Sequence, residues 1–589
     1  MRKIIYIFSF LIISKTVFSQ EKTTVKKEKD SIKTEIINVI TSYTPTISDA
    51  FKIKKNPRIK LGSKMQKRKL QYQIFSAPVA SSFVPKTGIV KGMNMGKKER
   101  VYNNYLAAGF GNNTTPFLET FLHHSTRVEN DFGLYAKYLS SKNNINTTPL
   151  NTDFSNLTVG IYYKQTERSY RWEIGGDYTQ NSYNWYGLPA SSFTFFTPTT
   201  TINEQQIYSN FDTHGKITFE NSILNTTTLN LAFFSDSSNS KELRFIIQPQ
   251  FQFSLKGFGR NFNDLIIDTS INYLNGEFPK TYTNSNSAKL EHSFFTIEVA
   301  PKYSFKYNDF SIKLGTKIVY NSDLENQIYQ FYIYPDINIS YPIITNIMNL
   351  YLGANGGLKT NSYKDFVSEN PFISPTQFIT QTNEKYNVFG GFNGKITSNV
   401  NYDIKASYKS EDDKALFIRN NSKFDGSNSA TISGYEFGNS FSVFYDAVKT
   451  FSLFAEFTID VSKNLTIGAN GQFNSFTLTK YTEAWNIPKT RAEILGNYKF
   501  EKWYAGANLL FVGERKDIFY SGTFPSTIAG VQNLKSYFDV NIHGGYHINN
   551  QFTAFLKINN LLNSQYQRFS NFYVQGFQIL GGVSYKFDF

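Results

Sequence analysis

Between Tyr102 and the final residue, the sequence changes character at every second position. In the segment 464–473, Leu465, Ile467, Ala469, Gly471 and Phe473 form one set, and Thr466, Gly468, Asn470 and Gln472 the other. In 536–548, Phe538, Val540, Ile542, Tyr546 and Ile548 alternate with Tyr537, Asp539, Asn541, His543 and His547. A strand sends successive side chains to opposite faces, so each such segment is a two-sided strand with one apolar and one polar face. The segments run to about ten residues and no helical period is sustained among them.

The connections carry a second regularity. Short turns near Asp131, Asp309, Asn399, Lys463, Lys502 and Asn550 alternate with long polar, aromatic or Gly/Pro-bearing stretches, the largest being 181–206, 359–385, 411–441 and 514–534. A soluble sandwich has no reason to keep its long loops at one end. A membrane barrel does, because its periplasmic turns are short and its external loops long. Counting segments predicts an all-β, transmembrane antiparallel β-barrel of about 22 strands, within a band of about 20–24. An even count puts both chain ends on the periplasmic side.

Composition agrees. Aromatic residues make up 17% of the chain, with 56 Phe and 39 Tyr, as two interfacial girdles would require. There is no Cys, which excludes disulfides, thiolate metal sites and a Cys-linked lipid anchor. Residues 1–19 read as a signal peptide: Arg2 and Lys3, an apolar run from Ile4 to Ile13, then cleavage after Ser19. No later apolar run is long enough for a membrane-spanning helix. These features place the mature chain in the outer membrane of a Gram-negative bacterium, with membrane lipid as its first partner.

The net charge of +15 belongs to one end. Residues 1–100 hold 22 Lys and Arg against 6 Asp and Glu, leaving a near-balance of 39 and 40 for residues 101–589. A nucleic-acid groove would carry its positive charge on the folded body, so nucleic acid is not expected as a partner. Within residues 20–100, nine of the eighteen residues Lys52–Lys69 are basic. Two readings fit this segment: a periplasmic arm or reduced plug that meets an acidic lumen or a periplasmic or outer-membrane protein, and a solvated linker. The barrel then occupies residues 101–589.

The last segment, Gly576–Phe589, alternates to its final residue. The last strand of a closed barrel must pair with the first so that no edge faces lipid. Tyr585, Phe587 and Phe589 fall on the apolar face and have the form of a terminal signal for barrel assembly. "KINNLLNSQYQRF" (Lys557–Phe569), "VQGFQILGGVSYKF" (Val574–Phe587), "EAWNIPKTRAEILGNYKF" (Glu483–Phe500) and "FVGERKD" (Phe511–Asp517) resemble the closing strands of TonB-dependent receptors of the Bacteroidota type. The resemblance covers residues 483–589 by motif and the rest by pattern, and it implies a receptor-like barrel in the outer membrane. That family also carries an N-terminal plug. Residues 20–100 are short for one, so the expectation is a plug reduced or absent, with energy-coupled uptake not implied.

No catalytic, cofactor or metal site is expected. His543 and His547 share the polar face, but four residues along a strand separate them by about 13 Å, too far for one ion. They are expected to line the lumen with Asp539 and Asn541. His123 and His124 point to opposite faces. The glycines near Gly390 are read as relief of crowding in a strand, and the Gly259 region as a short turn. Of the long stretches, Asn184–Pro198 and Tyr363–Phe378 are aromatic, polar and Pro-bearing and suit sugar-like or peptide ligands, the first offering Trp185, Tyr186, Phe193, Phe195 and Phe196 as external ligand contacts. The same residues suit loops packed on one another. Two functions follow: transport or conduction of a polar solute, and a non-enzymatic accessory subunit of an outer-membrane assembly, secretion or surface-export complex.

Overall fold

The computed structural model describes residues 100–589, apart from 127–128, 143–144, 190–201, 256–262, 280–288, 425–431 and 522–525. The signal peptide, the basic segment, Phe193, Phe195, Phe196 and the Gly259 turn lie outside the described residues.

Twenty-two strands form one antiparallel sheet. Each pairs with the next along the chain, and the last strand (Gln578–Phe587) pairs with the first (Asn104–Gly111), from Asn104↔Phe587 to Gly111↔Leu580. The sheet therefore has no edge and every strand finds its hydrogen-bond partners within the wall. Strands about 4.8 Å apart and tilted by about 40° give a cylinder roughly 40 Å across, too wide for wall side chains to fill. No helix among the described residues is long and apolar enough to cross a membrane.

The two faces segregate as the alternation requires. Leu106, Ile161, Phe211, Ile404, Leu453, Ile494 and Val583 are exposed on the outer surface. A continuous face of this kind needs hydrocarbon as its solvent. The inner surface is polar and laced with ion pairs. Lys302 bridges Asp268 (2.6 Å) and Asp336 (3.6 Å), Lys313 also meets Asp336 (3.3 Å), and Lys409 meets both Glu411 (3.0 Å) and Glu384 (3.5 Å).

Connections at one end are short: 167–169, 220–223, 308–309, 345–347, 398–399, 461–464, 501–502 and 548–551. Asn221, Asn308 and Asn346 take positive φ there, a conformation that asparagine tolerates better than most side chains. The opposite end carries 185–204, 360–381, 420–440, 513–536 and 560–577. The segregation is not absolute, since 112–114, 237–240 and 324–327 at that end are short, and 254–264 at the other is long. One expected loop is also shorter than 411–441. The strands Val400–Arg419 and Phe441–Asp460 each run 20 residues and cover part of it, with a bulge between Glu411 and Lys414. Twenty tilted residues rise about 50 Å, well beyond a hydrocarbon layer of about 30 Å. Above that layer both faces of a strand meet polar surroundings, and the alternation that marks it in sequence fades.

Glycines and aromatic rings interlock along the inner wall. Tyr162 and His214 lie over the directly opposed Gly133 and Gly175, and His292 and Phe555 over Gly276 and Gly582. Some strand pairs exchange two such joints. Tyr351 covers Gly391 while Phe389 covers Gly353, and His543 covers Gly506 while Tyr504 covers Gly545. A Cβ at any of these glycines would collide with the ring. The ring thus fills the space left by the absent side chain and shields the backbone beneath. In the Gly390 run only Gly391 serves this purpose; Gly390 meets the Leu352 side chain and Gly394 the Ile347 carbonyl.

Candidate functional site

The long connections fold inward and meet. At their centre Phe372 stacks on Phe572 at 3.7 Å between ring centroids and touches Phe569 edge-on. One buried apolar cluster joins these rings to Tyr208, Phe234, Leu274, Phe278 and Phe294 from one arc of the wall and to Phe417, Phe441 and Val443 from another. Side chains from separate arcs of so wide a cylinder can share one core only if the loops between them bridge the opening.

A two-turn helix, Tyr363–Glu369, anchors this layer. Ser362 caps it by accepting from the Asp365 amide. The Glu242 carboxylate on the wall accepts from the amides of Tyr363 (2.6 Å) and Lys364 (3.3 Å), favourable for a negative charge at a helix start. The Tyr363 hydroxyl donates to Asp236 (2.8 Å), the Tyr208 hydroxyl donates to the Pro371 carbonyl (2.8 Å), and Lys364 pairs with Asp212 (2.7 Å). Seven residues are too few to show a helical period, which is why the sequence does not reveal this helix.

A second tie is a buried charge cluster. The hairpin formed by Arg515–Tyr520 and Ile528–Leu534 lies outside the cylinder sheet. Its Arg515 donates to the carbonyls of Gln567 and Arg568, and its Asp517 accepts from the Arg419 amide at 3.3 Å. Burial pushes the Asp517 carboxyl up from 3.8 to about 6, against the opposing pull of the Arg419 guanidinium. The folded loops therefore hold a proton that the unfolded chain has already released. This stabilisation is full below about pH 4 and is lost as the pH rises through about 6. Amide exchange in the hairpin is expected to be slower at about pH 5 than at about pH 7.5, once the intrinsic pH dependence of exchange is divided out. Asp517→Asn should flatten that difference, whatever it does to absolute stability, and an unchanged pH profile in the variant would rule Asp517 out as its source.

Two chambers flank the aromatic layer, and adjacent residues serve them: Trp185 lines one and Tyr186 the other. Neither is a freely exposed external contact. Trp185 is 3% exposed, with its ring 5.4 Å from that of Tyr435. Tyr186 packs edge-on against Phe372 and Phe572 and donates to the Tyr573 carbonyl at 2.8 Å. The sequence allowed ligand contact or packing between loops for these residues; both side chains pack between loops, and each also lines a chamber.

The Tyr186 chamber measures about 340 Å³ and is also lined by Tyr183, Tyr566, Arg568, Asp539 and Asn541. Asn541 donates to Asp539 at 3.1 Å and accepts from the Asn560 amide at 3.0 Å. His543 and His547 lie farther along the same face. His543 is the ring over Gly506, and His547 Nδ1 is hydrogen-bonded with the Thr553 hydroxyl at 2.8 Å. No cluster suited to a metal ion occurs among the described residues. Sequence reasoning missed Arg568, Phe569 and Phe572, which lie in aromatic loop sequence where nothing local marks rings that meet across an opening. Phe372 falls in the stretch Tyr363–Phe378 and packs in the loop layer.

At the seam, Tyr585 packs on Phe552 (4.6 Å) and on Phe587 (5.5 Å), and Phe587 meets Phe589 (5.4 Å). Asp588 is fixed by Arg100 (3.2 Å) and by the Asn103 amide (2.8 Å).

No protein-family model matches the chain, and no curated protein does. Solved structures do. The pyoverdine outer-membrane receptor FpvA of Pseudomonas aeruginosa, bound to pyoverdine, superposes with a TM-score of 0.60 at 12% identity, over 83% of this chain and 79% of that one. The FrpB iron transporter of Neisseria meningitidis gives 0.60 at 10% identity, over 83% and 81%. The siderophore receptor PirA of Acinetobacter baumannii gives 0.59 at 10% identity, over 82% and 80%. The likeness is one of fold. The proteins matched are receptors and transporters, and none of the three is an enzyme.

Proposed function

We propose that this protein resides in the outer membrane of a Gram-negative bacterium and carries a polar solute across it as a TonB-dependent-receptor-like barrel, without covalent chemistry. One observation carries the reading: a wide cylinder with a polar wall is bridged at its long-loop end by inward-folded loops that enclose chambers of ligand size. A general pore would leave that end open, whereas a receptor closes it around what it selects. The named functions of the structural neighbours support the same class. Within this reading, lipid contacts the outer face and Tyr585, Phe587 and Phe589 serve as the terminal assembly signal. Residues 20–100 form a reduced plug or a docking arm for a periplasmic or outer-membrane protein.

The test is solute flux through full-length protein in liposomes, with binding measured in parallel. Saturable uptake of one class of polar solute over the background of empty vesicles is expected. The closed mouth also fits the second reading, an accessory subunit of an outer-membrane machine. Absence of any flux, together with a large complex that copurifies only when residues 20–100 are present, would replace the first reading with the second.

A further inference from the structure

Every strand of the cylinder is paired on both sides, but one of them outruns a neighbour with nothing to cover it. The strand Ile328–Ile344 is paired with Phe310–Asp323 up to its first residue, at Ile328↔Asp323. Its ladder to Met348–Lys359 stops at Asp336↔Asn355. After a bulge, Gly357–Lys359 pair with Thr382–Glu384 of the following strand instead. Ile328–Pro335 thus stand at the long-loop end with one side free of backbone partners among the described residues. Alternate residues of a strand turn both N–H and C=O to the same side, so this side carries a row of open donors and acceptors.

Side-chain exposure marks the same place. Tyr329, Phe331 and Ile333 are 65%, 63% and 66% exposed, whereas outward residues flanked by strands on both sides, such as Leu453 and Ile494, are 47% and 48% exposed. Ile328 and Gln330, on the opposite face, are exposed as well. The stretch (IYQFYIYP) carries no charge, and its proline sits at the lower end. Natural sheets blunt free edges with lysine, proline, bulges or a covering loop. This wall does so elsewhere. Phe441–Asp460 outruns Leu465–Leu478 above Val448↔Leu478, and there Asp446 accepts from the amides of Lys480 (2.9 Å) and Tyr481 (2.8 Å), drawing a loop across the gap. The edge at Ile328–Pro335 has no such cover among the described residues.

Three occupants are conceivable, and geometry separates them. Residues before Asn104 join the wall at its short-turn end, where Asn104 meets Phe587, the far side from this rim. A second copy in the same membrane stands the same way up, so a two-fold axis along the membrane normal leaves the two edges parallel and sets N–H against N–H. An extended segment of a different protein is free to run the other way and complete the ladder as its neighbours do. We propose that this edge is a docking site at which such a segment adds as an antiparallel strand. Its side chains beside Tyr329, Phe331 and Ile333 are apolar or aromatic, and those beside Gln330 polar, because cross-strand neighbours share a face.

The experiment uses full-length protein in lipid nanodiscs, with empty nanodiscs as background. The probe is a labelled synthetic peptide of the sequence Thr316–Asp323, which already pairs antiparallel with Ile328–Pro335 on their other side. Saturable binding by anisotropy is expected. Two further peptides carry N-methyl groups, each on one of the two sets of alternate residues. A strand presents only one set to its neighbour, so one of these should bind at least about tenfold more weakly and the other close to the parent peptide. Phe331→Lys, which puts a lysine on the edge, should weaken binding about tenfold. Phe110→Lys is the control: Phe110 is 62% exposed, but its strand is paired on both sides, to Pro116 and Gly581. Heat-modifiable migration on gels establishes that both variants fold. Gln330→Cys, in a chain without other cysteines, should stay monomeric under mild oxidation.

Any of four results overturns the proposal. The peptide does not bind above background; both N-methylated forms bind alike, which marks greasy adhesion in place of strand addition; folded Phe331→Lys binds no more weakly than Phe110→Lys; or Gln330→Cys forms a disulfide-linked dimer, which gives the edge to a second copy.

Discussion

Cutting Phe372 and Phe572 back to alanine opens the long-loop end of the barrel. The two rings stack on each other at the centre of the aromatic layer that bridges that end. Each truncation of a buried phenylalanine costs about 3–5 kcal/mol. Even half of one such loss moves a closed–open equilibrium about tenfold. The chain lacks cysteine, so a single Gln472→Cys substitution on the exposed lumen wall provides a clean reporter. A membrane-impermeant maleimide added to intact cells should label it slowly in the parent background and at least about tenfold faster with both alanines present. Planar-bilayer conductance of the same pair should rise in step. Equal labelling in both backgrounds would show that this aromatic layer does not control access to the lumen.

Closure of the cylinder rests on a handful of atoms. A Cβ at Gly109 would lie 2.8 Å from the Gly581 carbonyl oxygen, and one at Gly111 would lie 2.6 Å from that of Ile579. A Cβ at Gly582 would strike both the Ala108 carbonyl and the Phe555 ring. A side chain can rotate out of the way, but a paired backbone carbonyl cannot. Gly582→Val should therefore cost more than the usual overpacking penalty of about 1–3 kcal/mol. It also exposes the edges of the first and last strands to lipid, where each unpaired backbone group costs several kcal/mol more. The expected result is loss of the compact, heat-modifiable form on gels and loss of membrane-integrated protein. Gly496→Ala is the matched control, since a Cβ there would meet nothing within 4 Å. If Gly582→Val migrates like the parent, the seam is looser than its geometry implies.

The cylinder is legible in the sequence because its cause is local. Each outward side chain faces the same solvent, so Leu465, Ile467 and Phe473, or Phe538, Val540 and Ile542, report their orientation without reference to distant residues. The turns are legible for a similar reason, as at Asn308, where two-residue reversals demand particular backbone conformations. The layer across the mouth is not, because its core is assembled from residues hundreds of positions apart. Phe372 and Phe572 look in sequence like any loop aromatics, and Trp185 and Tyr186 look like residues turned toward the exterior. Their inward placement depends on several loops arriving together. The second role of His543 is hidden as well. Its place on the inner face follows from alternation, but its use depends on Gly506 standing opposite on the neighbouring strand, a relation that only the register reveals.

That dependence on register has a consequence for how the wall is built. A strand that slips by one residue turns its greasy side inward and is rejected at once. A slip of two residues keeps every face correct, so alternation alone cannot forbid it. The ring-over-glycine pairs can. Moving Tyr351, Phe389, His543 or Tyr504 by two positions drives each bulky group onto a neighbour that has a side chain and leaves its own glycine bare. The inner surface thus acts as a keyed lock between successive staves, proofreading an error to which the membrane itself is blind.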